Sequence, residues 1–137
     1  MSKKQQDISF GLNKELELLN SIRRVPFCEN VVKTPSEFDE VDFESDIAFL
    51  ELKSRRIPHN KYGTALIGCN KIRKMQRLGK PNNYIVWNYL DGIFYMKYDP
   101  NTFNFTEEMQ RVWRDGKCEE SLVYKIPYTI LTKLEVN

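Results

Sequence analysis

Leu12, Leu16, Leu19 and Ile22 recur at intervals of three and four, a spacing that predicts an amphipathic helix from about Gly11 to Arg24. Pro26 and Pro35 bound the connection that follows. The period then shortens. Phe38–Phe43 and Ile47–Arg55 are β-prone runs around a polar turn, and Pro58 ends the second. Thr64 to Leu78 regains helical spacing through Ala65, Cys69, Ile72 and Met75. Thr64 serves as its N-cap, and Gly79 and Pro81 as its stop. Asn83–Leu90 and Ile93–Tyr98 flank Asp91-Gly92, a strong hairpin signal because both turn positions favour positive φ. Phe103–Arg114 admits two readings. Thr106-Glu107-Glu108 can open a helix, or Asp115-Gly116 can fold the run into a hairpin with Leu122–Ile126, and strands are the favoured choice. Ile130–Leu134 is expected to be a short last helix or turn. Helix, strands, helix, strands is the order of an α/β protein.

At 137 residues the chain is expected to form a single domain, 1–137, with a real core. No apolar run approaches a membrane span, and Met1–Asp7 lacks the apolar stretch of a signal peptide, so an intracellular protein without membrane contact is expected. Cys28, Cys69 and Cys118 form no CxxC pair, and His59 is the lone histidine. Zinc sites and histidine-dependent triads are thereby excluded, and thiols in a reducing compartment are the ordinary reading.

Charge changes the picture more than composition does. Eight acidic residues crowd positions 29–51, whereas 54–90 holds no Asp or Glu and eight basic residues: Arg55, Arg56, Lys61, Lys71, Arg73, Lys74, Arg77 and Lys80. A net charge of +2 hides that asymmetry. A basic surface beside an acidic pocket suits a polyanionic substrate. Lys71, Lys74 and Arg77, spaced by three, are expected to form a basic helix face that contacts phosphates, and Arg55 shares the parity of Lys53 on its strand.

The candidate chemistry lies in the Val41–Arg56 stretch. Glu51 and Lys53 project from one face of a strand, and a hairpin can bring Asp42 beside Glu51. Two carboxylates can hold a hard divalent cation, and a neighbouring ammonium can act on a water. A symmetric turn at Glu44-Ser45-Asp46 would instead set Asp39 opposite Glu51. Asp42, between Val41 and Phe43, is preferred and would need a strand bulge. Glu15, beside the apolar face of the first helix, is a further candidate helper. His59 and the aromatic strip from Trp87 to Tyr98 read as loop and sheet core.

Asp42 followed by Glu51-Leu52-Lys53 resembles the motif of the PD-(D/E)xK nuclease superfamily, over roughly Phe10 to Tyr98. The Glu-Leu-Lys-Ser-Arg-Arg string and the helix after it are similar to small viral, phage and Holliday-junction-resolvase-like members. Val41 stands where the family has its proline. The resemblance implies a restriction-endonuclease-like core, a central mixed sheet flanked by helices. It implies a Mg²⁺-dependent endonuclease, with Mn²⁺ as a substitute. Asp42, Glu51 and the Leu52 carbonyl would hold the metal, and Lys53 would contact the attacking water and the phosphate. DNA is the expected partner, RNA a second, and cutting both strands would call for a homodimer. The reading from another class is a nucleic-acid-binding or protein-interaction module that keeps the fold without turnover.

Overall fold

The computed structural model describes residues 16–34 and 41–135. Residues 16–22 are helical (α1). Strands β1 (Val32–Lys33), β2 (Val41–Glu44), β3 (Ala48–Ser54) and β4 (Thr64–Gly68) follow, then helix α2 (Cys69–Leu78). After it come β5 (Asn82–Tyr89), β6 (Gly92–Lys97), β7 (Thr106–Arg114), β8 (Lys117–Pro127), a 3-10 turn at Tyr128–Ile130 and β9 (Thr132–Lys133).

The central sheet is mixed, in the order β1-β2-β3-β5-β6-β9. β3 and β5 are parallel, and its other neighbours are antiparallel. Parallel neighbours need a crossover, and β4 with α2 supplies it. β4 leaves the central sheet and joins β8 and β7 in a second, antiparallel sheet. One face of the central sheet buries Phe43, Leu50, Leu52, Tyr84 and Val86 against Ile22 and Val25, with Leu18 and Leu19 packed on them. The other buries Phe49, Ile85 and Trp87 with Ala65, Ile67 and Ile126 of the second sheet and with Ile72 and Met75 of α2. Strand alternation divides the layers: in β3, residues 48, 50 and 52 face α1, and 49, 51 and 53 face α2.

A mixed α/β fold around a mixed sheet is what the order of elements leads one to expect, but four local features differ, the last being that Thr132–Lys133, within the expected final helix or turn, is strand β9 paired with β6. Thr64–Gly68 is a strand, so α2 begins at Cys69 rather than at Thr64. The segment alternates, burying Ala65 and Ile67, and pairing with β8 outweighs a helical spacing that fits it equally well. In the first helix Leu16 is exposed, and the buried face runs through Ile22. The two Asp-Gly pairs also behave differently. At Asp115-Gly116 both residues take positive φ, 52° and 74°, and close the β7–β8 hairpin as a primed turn should. At Asp91-Gly92 the turn shifts by one residue, because Gly92 already pairs with Tyr89 in the ladder. There the Asp91 carboxylate instead accepts from the His59 backbone N–H at 2.9 Å. The helix stop is as expected: Gly79 takes φ 61°, and its N–H donates to the Met75 carbonyl at 3.1 Å.

Leu50 is fully buried in the α1 layer, whereas Trp113 is 71% exposed. Leu50→Ala should cost about 2–5 kcal/mol in urea unfolding, and Trp113→Ala under about 0.5 kcal/mol. Equal losses would contradict this assignment of the core.

Candidate active site

The β2–β3 hairpin sets the site. Its turn falls at Asp46-Ile47, where the Ser45 N–H donates to the Ala48 carbonyl at 2.9 Å and the Ser45 hydroxyl accepts from the Ala48 N–H at 3.2 Å. From that turn the register runs Glu44↔Phe49, Phe43↔Leu50, Asp42↔Glu51 and Val41↔Leu52. Asp42 thus faces Glu51 with no bulge, correcting the expectation that one is needed. The Asp42 carbonyl accepts from the Thr34 N–H at 2.9 Å, on the β1 side. Asp42 and Glu51 are therefore a non-hydrogen-bonded pair, the kind in which Cα atoms approach to about 4.5 Å and side chains lie closest. By the same alternation the Leu52 carbonyl points into the ladder toward Val41, and the Leu52 side chain is buried in the α1 layer. Glu15 and Asp39 lie outside the described residues.

Helix α2 covers the two carboxylates and brings ammoniums to them. Lys74 Nζ donates to Asp42 Oδ2 at 2.7 Å, and Lys71 Nζ lies 3.2 Å from Glu51 Oε1. Lys53 Nζ is 3.7 Å from the same oxygen. Glu51 is fully buried, Asp42 is 5% exposed and Lys71 6%. The Lys53 and Lys74 side chains are the more open members, at 20% and 36%.

Lys71 and Lys74 are accordingly not an outward basic stripe. Their ammoniums turn in to the carboxylates, and of that trio Arg77 alone lies on the exposed side. The charge asymmetry of the sequence is in part internal pairing, since Lys80 also reaches Glu44 at 3.1 Å. The signal that could have revealed this is positional: Lys71 stands four residues before Met75, within the apolar stripe of α2. Arg55 is exposed, as expected, and continues β3 by donating its N–H to the Asn88 carbonyl at 3.0 Å.

Burial raises the Glu51 carboxyl to about 8. The neighbouring Asp42 carboxyl adds to the rise, and Lys71 and Lys53 oppose it. Burial also acts to raise Asp42, but its hydrogen bond with Glu51 and the nearby Lys74 and Lys71 ammoniums outweigh that and hold it below the usual carboxylate range. One proton shared between the carboxyls is the physical result. With both ionised, Asp42 Oδ1 and both Glu51 oxygens are buried acceptors with no hydrogen bond. Glu51 Oε1 is met by the Lys71 and Lys53 ion pairs; Asp42 Oδ1 and Glu51 Oε2, buried without a hydrogen bond, fit a hard cation in place of the shared proton. Among the described residues no three His, Cys, Asp or Glu side chains cluster as a metal site. Mg²⁺ suits such a sparse set, because it commonly keeps several waters and binds through one or two carboxylates.

Among the described residues no helix is long and apolar enough to cross a membrane. Cys28 and Cys69 are buried and Cys118 is exposed, all three as free thiols. No protein-family model, curated protein or solved structure matches the chain.

The raised Glu51 carboxyl has a signed consequence for stability. The folded protein keeps a proton up to about pH 8 that the unfolded chain releases near the ordinary glutamate value of 4.5. That contribution is complete below about 4.5 and is lost as pH rises toward 8. In EDTA, wild-type stability should fall between pH 5.5 and 7.5 relative to Glu51→Gln, by up to about 1.4 kcal/mol per pH unit. Parallel urea-unfolding profiles for the two proteins would mean that the pair holds no proton.

Proposed function

We propose that this protein is a Mg²⁺-dependent nuclease of the PD-(D/E)xK type, with DNA as its substrate and endonucleolytic cleavage as its mode. The observation that carries the reading is the Asp42–Glu51 cross-strand pair, with buried carboxylate oxygens that lack hydrogen bonds and Lys53 beside it. The element order adds support. With β4 as an insertion between β3 and α2, a helix, the antiparallel run β1-β2-β3, helix α2 and the strand β5 parallel to β3 are compatible with the order of the restriction-endonuclease-like core.

When bound, a divalent cation supplies Lewis-acid stabilisation of the phosphoryl oxygens and a more acidic water. Asp42 and Glu51 would hold it. The register turns the Leu52 carbonyl toward Val41, so that third ligand of the family motif would have to leave the ladder. Lys53 orients the attacking water and neutralises charge that develops on the nonbridging oxygens. The water oxygen bonds to phosphorus and releases a proton to solvent, the bridging P–O bond breaks, and the leaving oxygen takes up a proton from solvent. Lys74, the most open ammonium of the group, meets the phosphate at the rim. Three ammoniums around two carboxylates disfavour a dication alone, so metal and polyanion should bind together. By linkage each should tighten the other.

A second reading rests on the two closest ion pairs. Lys71 on Glu51 and Lys74 on Asp42 neutralise the carboxylates without any metal, as in a nucleic-acid-binding module that keeps the fold without turnover.

Labelled DNA and RNA substrates in Mg²⁺, Mn²⁺ or EDTA separate the two. Cleavage should require the metal, and full activity after exhaustive metal removal would rule out the nuclease. Lys53→Ala should lower single-turnover cleavage of DNA by 100-fold or more, on the order expected for a lost transition-state contact, while leaving melting and most of the affinity intact. Glu51→Ala should lose cleavage through metal affinity and regain part of it at high Mn²⁺, a rescue that Lys53→Ala should not show. Wild-type binding with no cleavage in any metal would establish the binding module.

A further inference from the structure

Beyond Lys53 the same face of β3 runs into a cleft of about 490 Å³ lined by residues of both sheets. Glu51, Lys53 and Arg55 alternate along β3, and Ile85, Trp87 and Tyr89 alternate beside them on β5, with Lys53 in register with Trp87. Arg55, Trp87 and Tyr89 line the cleft on this side; Gln110 and Lys125 line it from the second sheet, and Tyr62 stands at the rim. The Trp87 indole N–H donates to the Leu66 carbonyl at 3.1 Å and ties one wall to the other. Arg55 lies two residues past Lys53, about 7 Å along the strand.

Lys125 is paired with Glu108 on the second-sheet side, so together they add little net charge to the cleft. Lys53 and Arg55 stand along the β3 side that leads in from the carboxylates. Tyr62 is 60% exposed, with the Lys61 ammonium 5.6 Å from its ring centre, whereas Trp87 is 1% exposed and serves as wall. An aromatic rim, an amide side chain, a charge-balanced Lys125–Glu108 pair and the cations Lys53 and Arg55 along β3 suit a flat heterocycle carried on a phosphate chain. The volume is in the range of pockets that enclose small-molecule-sized groups.

We propose that this cleft receives one unpaired base of a single-stranded stretch of nucleic acid, next to the phosphate held at Lys53. The proposal deepens the nuclease reading and rests on it for the position of that phosphate. It makes the preferred substrate one with unpaired nucleotides beside the scissile bond. Tyr62 is then a binding residue that stacks on the base, and Gln110 a binding residue that meets its edge.

The test uses the full chain in EDTA, where binding is read without cleavage. Fluorescence anisotropy with a mixed-sequence 12-nucleotide single-stranded DNA, the same sequence as RNA, and a blunt DNA duplex gives three affinities. Tyr62→Ala should weaken single-strand binding roughly five-fold or more and leave duplex binding unchanged. Trp113→Ala, another exposed aromatic, should change neither. Tyr62 dependence with DNA or with RNA sustains the cleft, and the tighter arm identifies the preferred sugar. Unchanged single-strand affinity in Tyr62→Ala, or an equal loss in Trp113→Ala, overturns it. Cleavage in Mg²⁺ is scored separately. Tyr62-dependent binding without cleavage keeps the base site and removes the nuclease. Single-strand cleavage at unchanged kcat/KM in Tyr62→Ala removes the base site and keeps the nuclease.

Discussion

Two carboxylates buried side by side on neighbouring strands are the constraint around which the central layers are arranged. Asp42 and Glu51 occupy a non-hydrogen-bonded pair position on the α2 face of the sheet, where side chains approach most closely. Unpaired buried charge is costly, and a shared proton removes only part of that cost. Helix α2 supplies the rest with Lys71 and Lys74. Its place is fixed twice over, by the crossover that the parallel β3–β5 pair requires and by Ile72 and Met75 packed in the same layer. Apolar packing and charge compensation select the same docking of the helix.

The same arrangement gives the site its chemical character. A proton, lysine ammoniums or a divalent cation can each compensate the pair, and these compete. Lys71 is deep and Lys53 and Lys74 lie nearer solvent, so a phosphate approaching from the open side meets cations before it meets the carboxylates. Repulsion between phosphate and carboxylate is thereby screened at the entrance. On the proposed nuclease reading, the acidic residues stay within reach of a metal that arrives with the polyanion.

The second sheet gives this arrangement its outer wall. β4 leaves β3 to pair with β8, and Ala65, Ile67 and Ile126 close the layer over Phe49, Ile85 and Trp87. Alternation in β4 then turns Thr64 and Leu66 the other way, toward the cleft. A single strand therefore serves both the core and the wall of the cleft.

Local signals were sufficient for much of the chain. The alternation of Phe49, Glu51 and Lys53 against Leu50 and Leu52, the Gly79 stop and the Asp115-Gly116 turn could all be read in sequence, because each depends on a few neighbouring residues and the backbone angles they favour. Asp42 was the preferred partner of Glu51 on the strength of its apolar flanks. Its pairing without a bulge was decided by a turn at Asp46-Ile47, one of several turns the polar stretch allowed. Thr64–Gly68 satisfied both a helical and an alternating pattern, and only the presence of β8 made it a strand. The inward direction of Lys71 and Lys74 had the same origin. Spacing by three placed them on one side of a helix, but which side faces the sheet depends on packing between segments about thirty residues apart. Sequence determined the residue types, the periods and the candidate chemistry; tertiary structure decided register, the docking of α2 and the partners of the buried charges, because these depend on contacts that no local window contains.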